Sequence, residues 1–265
     1  MMDSPMPMIA VSGVSKRLEA VDVLSGVDLE IGRGELVALS GPSGSGKTLL
    51  LKAIIGLIAP DRGSIRIDGQ ETVGVAPATR EAATRRIGML FQRSALFDGM
   101  PVWENVVFRA LGEGSLDRKS GFEAAVEKIA AVGLAPETAA LYPADLSGGM
   151  QKRAALARAI ADDPEIVLLD EPTAGLDPIM SNVINDLIRE TAARLGATVL
   201  LVTSDMAGAR RTTSRFVMMD AGSVVWQGPT DSIGDSGNAF VDRFVHRRGD
   251  GPMGTLADSV GTGAT

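Results

Sequence analysis

The chain has 265 residues, a formal net charge of −7 at pH 7 and no cysteine. This length suffices for one large domain or for a core with a subdomain. The acidic balance argues against binding to nucleic acid or to anionic lipid headgroups, and the lack of cysteine excludes disulfides. The start of the sequence has neither the basic end nor the apolar core of a signal peptide. The longest apolar stretch, residues 49–59, is interrupted by Lys52 and is shorter than the ~20 residues that span a bilayer. We therefore expect a cytosolic chain that another protein must hold at any membrane where it works.

A phosphate-binding loop is the first motif along the chain. Residues 8–40 alternate short apolar segments with turns, which predicts several short strands. The last apolar segment leads into GPSGSGKT at residues 41–48, which fits the pattern G-x-x-x-x-G-K-[ST]. An ordinary Gly/Ser turn is the alternative, but a strand before and a helix after, from Lys47 to about Leu57, are the context that a phosphate loop requires. The candidate nucleotide-binding residues here are Gly41, Pro42, Ser43, Gly44, Ser45, Gly46, Lys47, Thr48 and Leu49.

Each part of this loop has an expected task. Gly44 and Gly46 let backbone N–H groups approach phosphate oxygens, and the helix N-terminus adds its positive end. Lys47 is expected to reach the β- and γ-phosphates, and the Thr48 hydroxyl is expected to bind Mg²⁺.

The remaining pattern predicts an α/β fold. Further strands are expected at residues 64–67, 87–91, 166–170, 197–203, 215–219 and 223–227, with a helix at about 179–194. Such alternation indicates a mostly parallel sheet with helices on its faces. Residues 95–162 show helical spacing and would form an inserted subdomain. Residues 248–265 are dominated by small and polar residues and predict a flexible tail.

Two carboxylates, Asp170 and Glu171, follow the apolar run of residues 166–169. We expect this strand to run beside the strand that precedes the phosphate loop, where Asp170 would be a suitable partner of Mg²⁺. Taken alone, the pair would fit a solvated strand end equally well.

Ser147, Gly148 and Gly149 precede a predicted helix at residues 150–160. A capping serine with free backbone N–H groups at a helix start forms an anion site, and a simple N-cap is the alternative.

In combination, three motifs resemble those of ABC-type ATPases: the phosphate loop, the run LSGGM at 146–150 and the run DEPTAGLD at 170–177. The resemblance covers about residues 8–247. It implies one P-loop ATPase domain, with a mixed, mostly parallel core sheet, N-terminal antiparallel strands and the helical subdomain inserted at about 95–162. It also implies ATP and Mg²⁺ as ligands.

The resemblance implies further roles for single residues. Glu171 would be the catalytic carboxylate that polarises the attacking water, and Gln92 would contact Mg²⁺ and that water. Asp177 would belong to the nucleotide site. The resemblance also implies a head-to-tail homodimer, in which Ser147, Gly148 and Gly149 contact the nucleotide bound to the partner subunit.

Two positions depart from the family pattern. Ser204 stands where the family has a switch histidine, and a serine hydroxyl has a shorter reach and no positive charge. Losing one positioned donor can lower turnover by about 10²–10³, so ATP binding is better supported than fast hydrolysis. Leu18 stands where the family often stacks adenine on an aromatic ring, which leaves base selectivity open.

Three longer segments, residues 89–105, 146–159 and 177–180, resemble the ATPase subunit of Mla-type phospholipid transport systems. This resemblance implies movement of phospholipids between the inner and outer membranes, with the ATPase bound peripherally at the cytoplasmic face of the bacterial inner membrane. The implied partners are polytopic permease subunits and, through them, a periplasmic lipid-binding protein. A small regulatory subunit on the helical subdomain and the direction of transport are left open.

Two surface features carry open alternatives. Leu96, Phe97, Val102 and Trp103 would line an apolar groove for a permease helix, or would be subdomain core. An apolar stripe on a short helix near the C-terminus, formed by Phe240, Val241, Phe244 and Val245, either reaches the other ATPase subunit or packs on its own domain. His246 is interpreted as a solvated residue at the end of this helix.

Three other functions remain as alternatives. An ATPase subunit for another substrate would share all the motifs above. A dimer clamp that binds ATP but hydrolyses it poorly would follow if Ser204 does not replace the histidine. A soluble, non-transport ABC protein is disfavoured because such proteins usually carry two ATPase halves or long insertions.

Overall fold

The smaller of two sheets is antiparallel and holds the N-terminal strands. The computed structural model of the chain describes residues 6–246. The sheet order is β2-β1-β4-β5, with β1 at Ile9–Leu18, β2 at Val21–Ile31, β4 at Arg62–Ile67 and β5 at Gln70–Glu71. The first two strands form one long hairpin where the sequence predicted several short strands. The turn-forming residues Gly13 and Gly26 have positive φ and lie where the register of the pair shifts, so they act as bulges inside long strands.

The larger sheet is parallel except at one edge, and its order is β10-β9-β3-β8-β7-β6. Its strands are β3 (Leu36–Ser40), β6 (Ile87–Leu90), β7 (Ile166–Asp170), β8 (Thr198–Val202), β9 (Arg215–Asp220) and β10 (Ser223–Pro229). Strands β7 and β8 are buried along their whole length, as parallel strands covered on both faces should be. One expectation is wrong: β7 does not run beside β3, because β8 pairs with both and lies between them.

Helices connect these strands. Their bounds are α1 (Lys47–Ile54), α2 (Pro77–Thr84), α3 (Val102–Val106), α4 (Phe108–Gly112), α5 (Arg118–Ala131), α6 (Gly148–Ala159), α7 (Pro178–Leu195), α8 (Met206–Thr212) and α9 (Ala239–His246). Helix α2 was not predicted, since it buries only Ala83 and therefore has no apolar period. Helix α8 was missed as well, because its seven residues are too few to show a helical period.

Helices α3 to α6 lie between β6 and β7 in the sequence and form the inserted helical region. Val102 and Trp103 are 0% and 8% exposed and belong to its core. The prediction that these two side chains line an open groove is therefore wrong, and their alternative placement in the core is observed. Phe97 is 42% exposed and its ring lies 4.7 Å from that of Phe108, also exposed, so these two rings form one accessible apolar patch of this region.

Helix α9 packs on its own domain, which is one of the two predicted arrangements. Val241 is fully buried against Phe216 and Met218, and Phe240 and Phe244 pack around it. The exposed His246 ring lies 2.9 Å from the carbonyl oxygen of Gly234. The tail predicted at residues 248–265 lies outside the described residues.

Gly88 in β6 lets α6 approach the sheet. A Cβ at this position would lie 1.8 Å from the carbonyl oxygen of Ala159 and 3.0 Å from Pro164. We expect Gly88→Ala to lower the free energy of unfolding by about 2–4 kcal/mol, because backbone must move to remove the clash. Chemical denaturation measures this change.

Gly112→Ala at the end of α4 is the matched control, since a Cβ there meets nothing within 4 Å. Its stability should stay within about 0.5 kcal/mol of the native value. Equal stability of the two variants would contradict the close approach of α6 to β6.

Candidate nucleotide-binding site

A cleft of about 540 Å³ opens at the carboxyl ends of the parallel strands. Leu39 of β3 and Asp170 of β7 are both paired with Val202 of β8, so these strand ends lie side by side. This is the edge at which open parallel sheets bind ligands. The lining residues are Leu18, Val23, Gly41, Ser43, Gly44, Gly46, Lys47, Thr48, Leu49, Lys52, Gln92, Glu171, Ala174, Val202 and Ser204.

The phosphate loop passes close to neighbouring backbone at two glycines. A Cβ on Gly41 would lie 2.0 Å from the carbonyl oxygen of Met219, and one on Gly46 would lie 2.7 Å from that of Val23. Both glycines also have positive φ, at 143° and 99°. Helix α1 begins at Lys47 without a side-chain cap, so its first N–H groups are free to bind an anion.

Lys47 is held over this loop by the loop itself. Its Nζ donates hydrogen bonds to the carbonyl oxygens of Gly41 (2.9 Å) and Pro42 (2.6 Å) and to Ser45 Oγ (3.2 Å). The side chain is 8% exposed. Burial lowers the pKa of Lys47, while the charges of Glu171 and Asp170 act in the opposite direction. The ammonium is thus preorganised beside the cleft, where an anionic ligand would strengthen its charged form.

Asp170 is 2% exposed and does not line the cleft, but it is bonded to a residue that does. Thr48 Oγ1 donates a hydrogen bond of 3.1 Å to Asp170 Oδ1. Burial raises the pKa of Asp170, the bond from Thr48 lowers it, and the nearby charge of Glu171 raises it further. This pair of oxygen donors fits Mg²⁺, which prefers oxygen ligands and usually keeps several waters beside substrate phosphates. Within residues 6–246, His, Cys, Asp and Glu side chains nowhere gather in threes as a metal cage.

Glu171 is held by Ser204. Both the backbone N and the Oγ of Ser204 donate hydrogen bonds to Glu171 Oε2, at 3.1 and 3.0 Å. Glu171 itself adopts a left-handed backbone conformation with φ of 48°, a strained state that is common at functional sites. The serine at the predicted switch position therefore fixes one carboxylate oxygen of Glu171 and leaves Oε1 to accept a further hydrogen bond.

Gln92 lies on the loop after β6 and lines the cleft with Glu171. Its backbone carbonyl oxygen accepts a hydrogen bond of 2.5 Å from Lys152 Nζ. Lys52 also lines the cleft, and its charge acts on Asp170. Neither lysine was predicted from the sequence as a site residue, because a lysine in a helix usually lies in solvent and neither one belongs to a recognisable motif.

The remaining candidates lie elsewhere in the chain. Ser147 caps α6 by accepting a hydrogen bond from the Met150 backbone N (3.3 Å), and Asp177 caps α7 in the same way. The two caps are neighbours, since a Cβ on Gly149 would lie 3.0 Å from Met180 Cε. Neither cap lines the cleft. Pro42 and Ser45 are not lining residues either, and their contribution to the loop is their bonds to Lys47.

The base side of the cleft is aliphatic. Leu18, 43% exposed, and Val23 are the lining residues contributed by the first hairpin. A purine would therefore rest on methyl groups here, without the additional attraction of an aromatic ring.

The charged form of Asp170 weakens the fold when no cation is bound. The pKa of Asp170 in the folded chain lies above its value in the unfolded chain. Between these two pKa values the folded chain binds more protons than the unfolded chain, so the free energy of unfolding falls as pH rises through this range. We expect Asp170→Asn to raise stability at pH 7, without nucleotide or Mg²⁺, by about 1 kcal/mol, or roughly 2–4 °C in Tm. Thermal unfolding measures this shift, and the further stabilisation of the native chain by Mg²⁺ with ATP should shrink in the variant.

Asp186→Asn provides the control, because Asp186 forms an exposed ion pair with Arg189. It should leave Tm unchanged within about 1 °C. A Tm for Asp170→Asn below that of the native chain at pH 7 would contradict the desolvation of Asp170.

Comparison with known proteins agrees with this geometry. The profile of the family described as "ABC transporter" matches residues 24–174. Protein TRIGALACTOSYLDIACYLGLYCEROL 3, chloroplastic, of Arabidopsis thaliana is 38% identical over 262 residues, which is 93% of this chain and 75% of that protein. The protein mkl of Mycobacterium leprae, whose name assigns it to ribonucleotide transport, is 37% identical over 256 residues, or 95% of this chain and 73% of that protein.

Among solved structures, the dimeric post-hydrolysis state of the ATP-binding cassette MJ0796, bound to ADP and Pi, superimposes with a TM-score of 0.78. It is 32% identical, and the match covers 84% of this chain and 99% of that one. No helix in residues 6–246 is long and apolar enough to cross a membrane. The cleft and these relationships show that the chain belongs to the ABC transporter family, as an ATP-binding subunit with the ATPase domain of that family.

Proposed function

We propose that this ATPase subunit drives phospholipid transport between the inner and outer membranes of a bacterium, bound peripherally to its permease at the cytoplasmic face of the inner membrane. The observation that carries the proposal is the relationship to the Arabidopsis protein, which is named after a galactolipid and matches 93% of this chain. A galactolipid carries no phosphate, so this relationship supports a lipid as the transported substrate. The resemblance of residues 89–105, 146–159 and 177–180 to Mla-type ATPases favours a phospholipid within this class. The partners would be two copies of a permease and, through them, a periplasmic lipid-binding protein.

Transport of another substrate is the main alternative, because relatives of similar identity carry other names. The mycobacterial protein mkl is named for ribonucleotide transport at 37% identity. The ATPase need not touch the transported molecule, so its cleft carries no information on this point.

The cleft supports a mechanism in which Glu171 Oε1 accepts a proton from water that attacks the γ-phosphate. Ser204 would orient the carboxylate through its two bonds to Oε2. Lys47 and the N–H groups at the start of α1 would bind the phosphates. Mg²⁺, held by Thr48, Asp170 and Gln92, would neutralise charge on the phosphates. Gln92 would also position the water.

We propose that the working unit is a head-to-tail homodimer. Ser147 and Asp177 do not line the cleft of their own chain, and the free N–H groups beside Ser147 fit an anion supplied by a second subunit. The dimeric form of the ATP-binding cassette MJ0796 supports this arrangement. A single chain would then bind ATP through its phosphate loop without a complete catalytic site.

The exposed rings of Phe97 and Phe108 would form part of the permease contact. Asn105 is fully buried and fixes this segment, accepting from the Phe97 backbone N (2.7 Å) and donating to the carbonyl oxygens of Phe97 (3.1 Å) and Met100 (3.0 Å). A rigid aromatic surface is well suited to an apolar helix of a partner.

A second candidate function, a clamp that binds ATP and hydrolyses it poorly, is favoured by one observation. Ser204 bonds to Glu171, and a serine lacks the positive charge with which a histidine would stabilise the γ-phosphate. Phosphate release by the chain co-purified with its permease separates the two functions. We expect the native complex to turn over and Glu171→Gln to lose about 10²–10³-fold or more in kcat.

Ser204→His serves as the diagnostic variant in the same assay. If the native complex is as inert as Glu171→Gln while Ser204→His is active, the chain is a clamp and the transport mechanism is wrong. If the native complex turns over, the rate of Ser204→His measures how much the serine costs.

The substrate class is tested with the complex reconstituted in vesicles. Phospholipid movement that requires ATP and fails in Glu171→Gln would support the proposal. Transport of a ribonucleotide or another solute, with no movement of phospholipid, would contradict it.

Leu18→Tyr tests the aliphatic base contact. Stacking a ring on adenine is worth about 1–3 kcal/mol, so we expect the affinity for ATP to rise by roughly 5-fold or more and the preference for ATP over GTP to change. Titration with a fluorescent ATP analogue measures both. Leu57→Tyr, at an exposed position beyond the C-terminal end of α1 that does not line the cleft, is the control and should leave the affinity unchanged. Equal affinities of Leu18→Tyr and the native chain would contradict a base contact at Leu18.

A further inference from the structure

A buried lysine connects three separate parts of the site. Lys152 lies in the second turn of α6, the helix capped by Ser147, and is 7% exposed. A lysine at such a position is unusual, because desolvation of an ammonium is costly unless it has good hydrogen-bond partners. Burial accordingly lowers the pKa of Lys152.

The partners of Lys152 are backbone carbonyls of the two residues proposed to act on water. Its Nζ donates to the Gln92 carbonyl oxygen at 2.5 Å and to the Glu171 carbonyl oxygen at 3.3 Å. In the described part of the chain these two carbonyls are its hydrogen-bond partners. One ammonium on α6 therefore links the loop after β6 to the segment after β7. In the described structure the pairing of these two strands ends at Leu90 and Leu169, so the ammonium joins the segments where the strand hydrogen bonds have ended.

A second cation of α6 holds the same loop. Arg158 donates from Nη2 to the Ser94 carbonyl oxygen (2.8 Å) and from Nη1 to that of Ala95 (2.6 Å). Both of these residues have positive φ, at 61° and 49°. The guanidinium also lies 5.8 Å from the centre of the Phe97 ring. Cations of α6 thus hold three carbonyls of the loop, at residues 92, 94 and 95, and the loop should move with α6.

We infer that Lys152 is a positioning residue for hydrolysis: it fixes the Gln92 backbone relative to that of Glu171 and couples both to the helix that begins at Ser147. Lys152 lies outside the lining of the cleft, so it acts on the reaction through these two residues. Hydrogen bonds from an ammonium to carbonyl oxygens are charge-assisted and are strengthened by poor solvation, so they can hold the two backbone segments in place. A displacement of α6, whether from a second subunit at Ser147 or from a permease at Phe97, would reach Gln92 and Glu171 through this side chain.

The inference rests on the proposed roles of Glu171 and Gln92, and three variants of the full chain test it. Lys152→Met keeps the length and loses the donor, and Lys152→Arg keeps charge and donors. Lys128→Met is the matched control, since Lys128 forms an ion pair with Asp163 in the same helical region, away from the cleft. The measurements are kcat and KM for ATP, the affinity for a fluorescent ATP analogue, and hydrogen exchange of the amides of residues 92–95 without nucleotide.

For Lys152→Met we expect kcat to fall by about 10–100-fold while nucleotide affinity stays within about 3-fold, because the phosphate loop is untouched. Amide exchange at residues 92–95 should be faster than in the native chain. Lys152→Arg should recover most of the turnover and of the protection. Lys128→Met should match the native chain in every measurement.

Three results would overturn the inference. The first is a kcat for Lys152→Met within about 2-fold of the native value. The second is a loss of kcat in Lys152→Met while amide exchange at residues 92–95 is unchanged and Lys152→Arg recovers no turnover. The third is a loss of kcat that is matched by an equal loss of nucleotide affinity. Glu171→Gln separates this outcome from a failure of the proposed function: if that variant remains active, the assigned role of Glu171 is wrong, whereas the exchange measurement still reports on the lysine contacts.

Discussion

The structure depends on two adjacent carboxylates at the end of β7: Asp170, which is buried, and Glu171, which lines the cleft beside the phosphate loop. Burial raises the pKa of Asp170 and lowers that of Lys47, so desolvation disfavours the charged form of both groups. A nucleotide with its divalent cation would add further opposite charge beside both groups. Binding of a nucleotide would thus stabilise the charged forms of the same residues that would act on its phosphates.

The topology explains how residues far apart in the sequence reach one cleft. Thr48 and Asp170 share a hydrogen bond of 3.1 Å, although β3 and β7 are not neighbours in the sheet. Strand β8 lies between those strands, and Ser204 follows it, so its hydroxyl reaches Glu171 from the middle of the sheet edge. The inserted helices carry Ser147 away from its own cleft, yet Lys152 returns from the same helix to hold Gln92 and Glu171. The core therefore builds the cleft, and the insertion contributes hydrogen bonds to the backbone of two of its residues.

Sequence reasoning worked where a single segment carries the whole signal. The phosphate loop is local, and β7 was predicted with its observed bounds because a buried apolar run ends there in charged residues. It failed where tertiary context decides. The sequences of β7 and β8 do not indicate which of the two lies beside β3. Helix α3, which buries Val102 and Trp103, has too few turns to show a helical period. The burial of Lys152 and the bond of Ser204 to Glu171 depend on segments that meet only in the folded chain. Ser204 was predicted at the position of a switch histidine, and in the structure its hydroxyl bonds to Glu171.

The proposed mechanism requires that each chain carries half of a catalytic site, with its phosphate loop facing Ser147 of a second copy. The molar mass of Glu171→Gln in solution, measured with and without ATP and Mg²⁺, is the decisive test. We expect a monomer without nucleotide and a dimer with it. Ser147→Arg added to the same chain should bind ATP with unchanged affinity and remain a monomer, because Ser147 lies outside its own cleft. A dimer that forms equally well with Arg at this position, or an ATP-bound monomer of Glu171→Gln, would contradict the account.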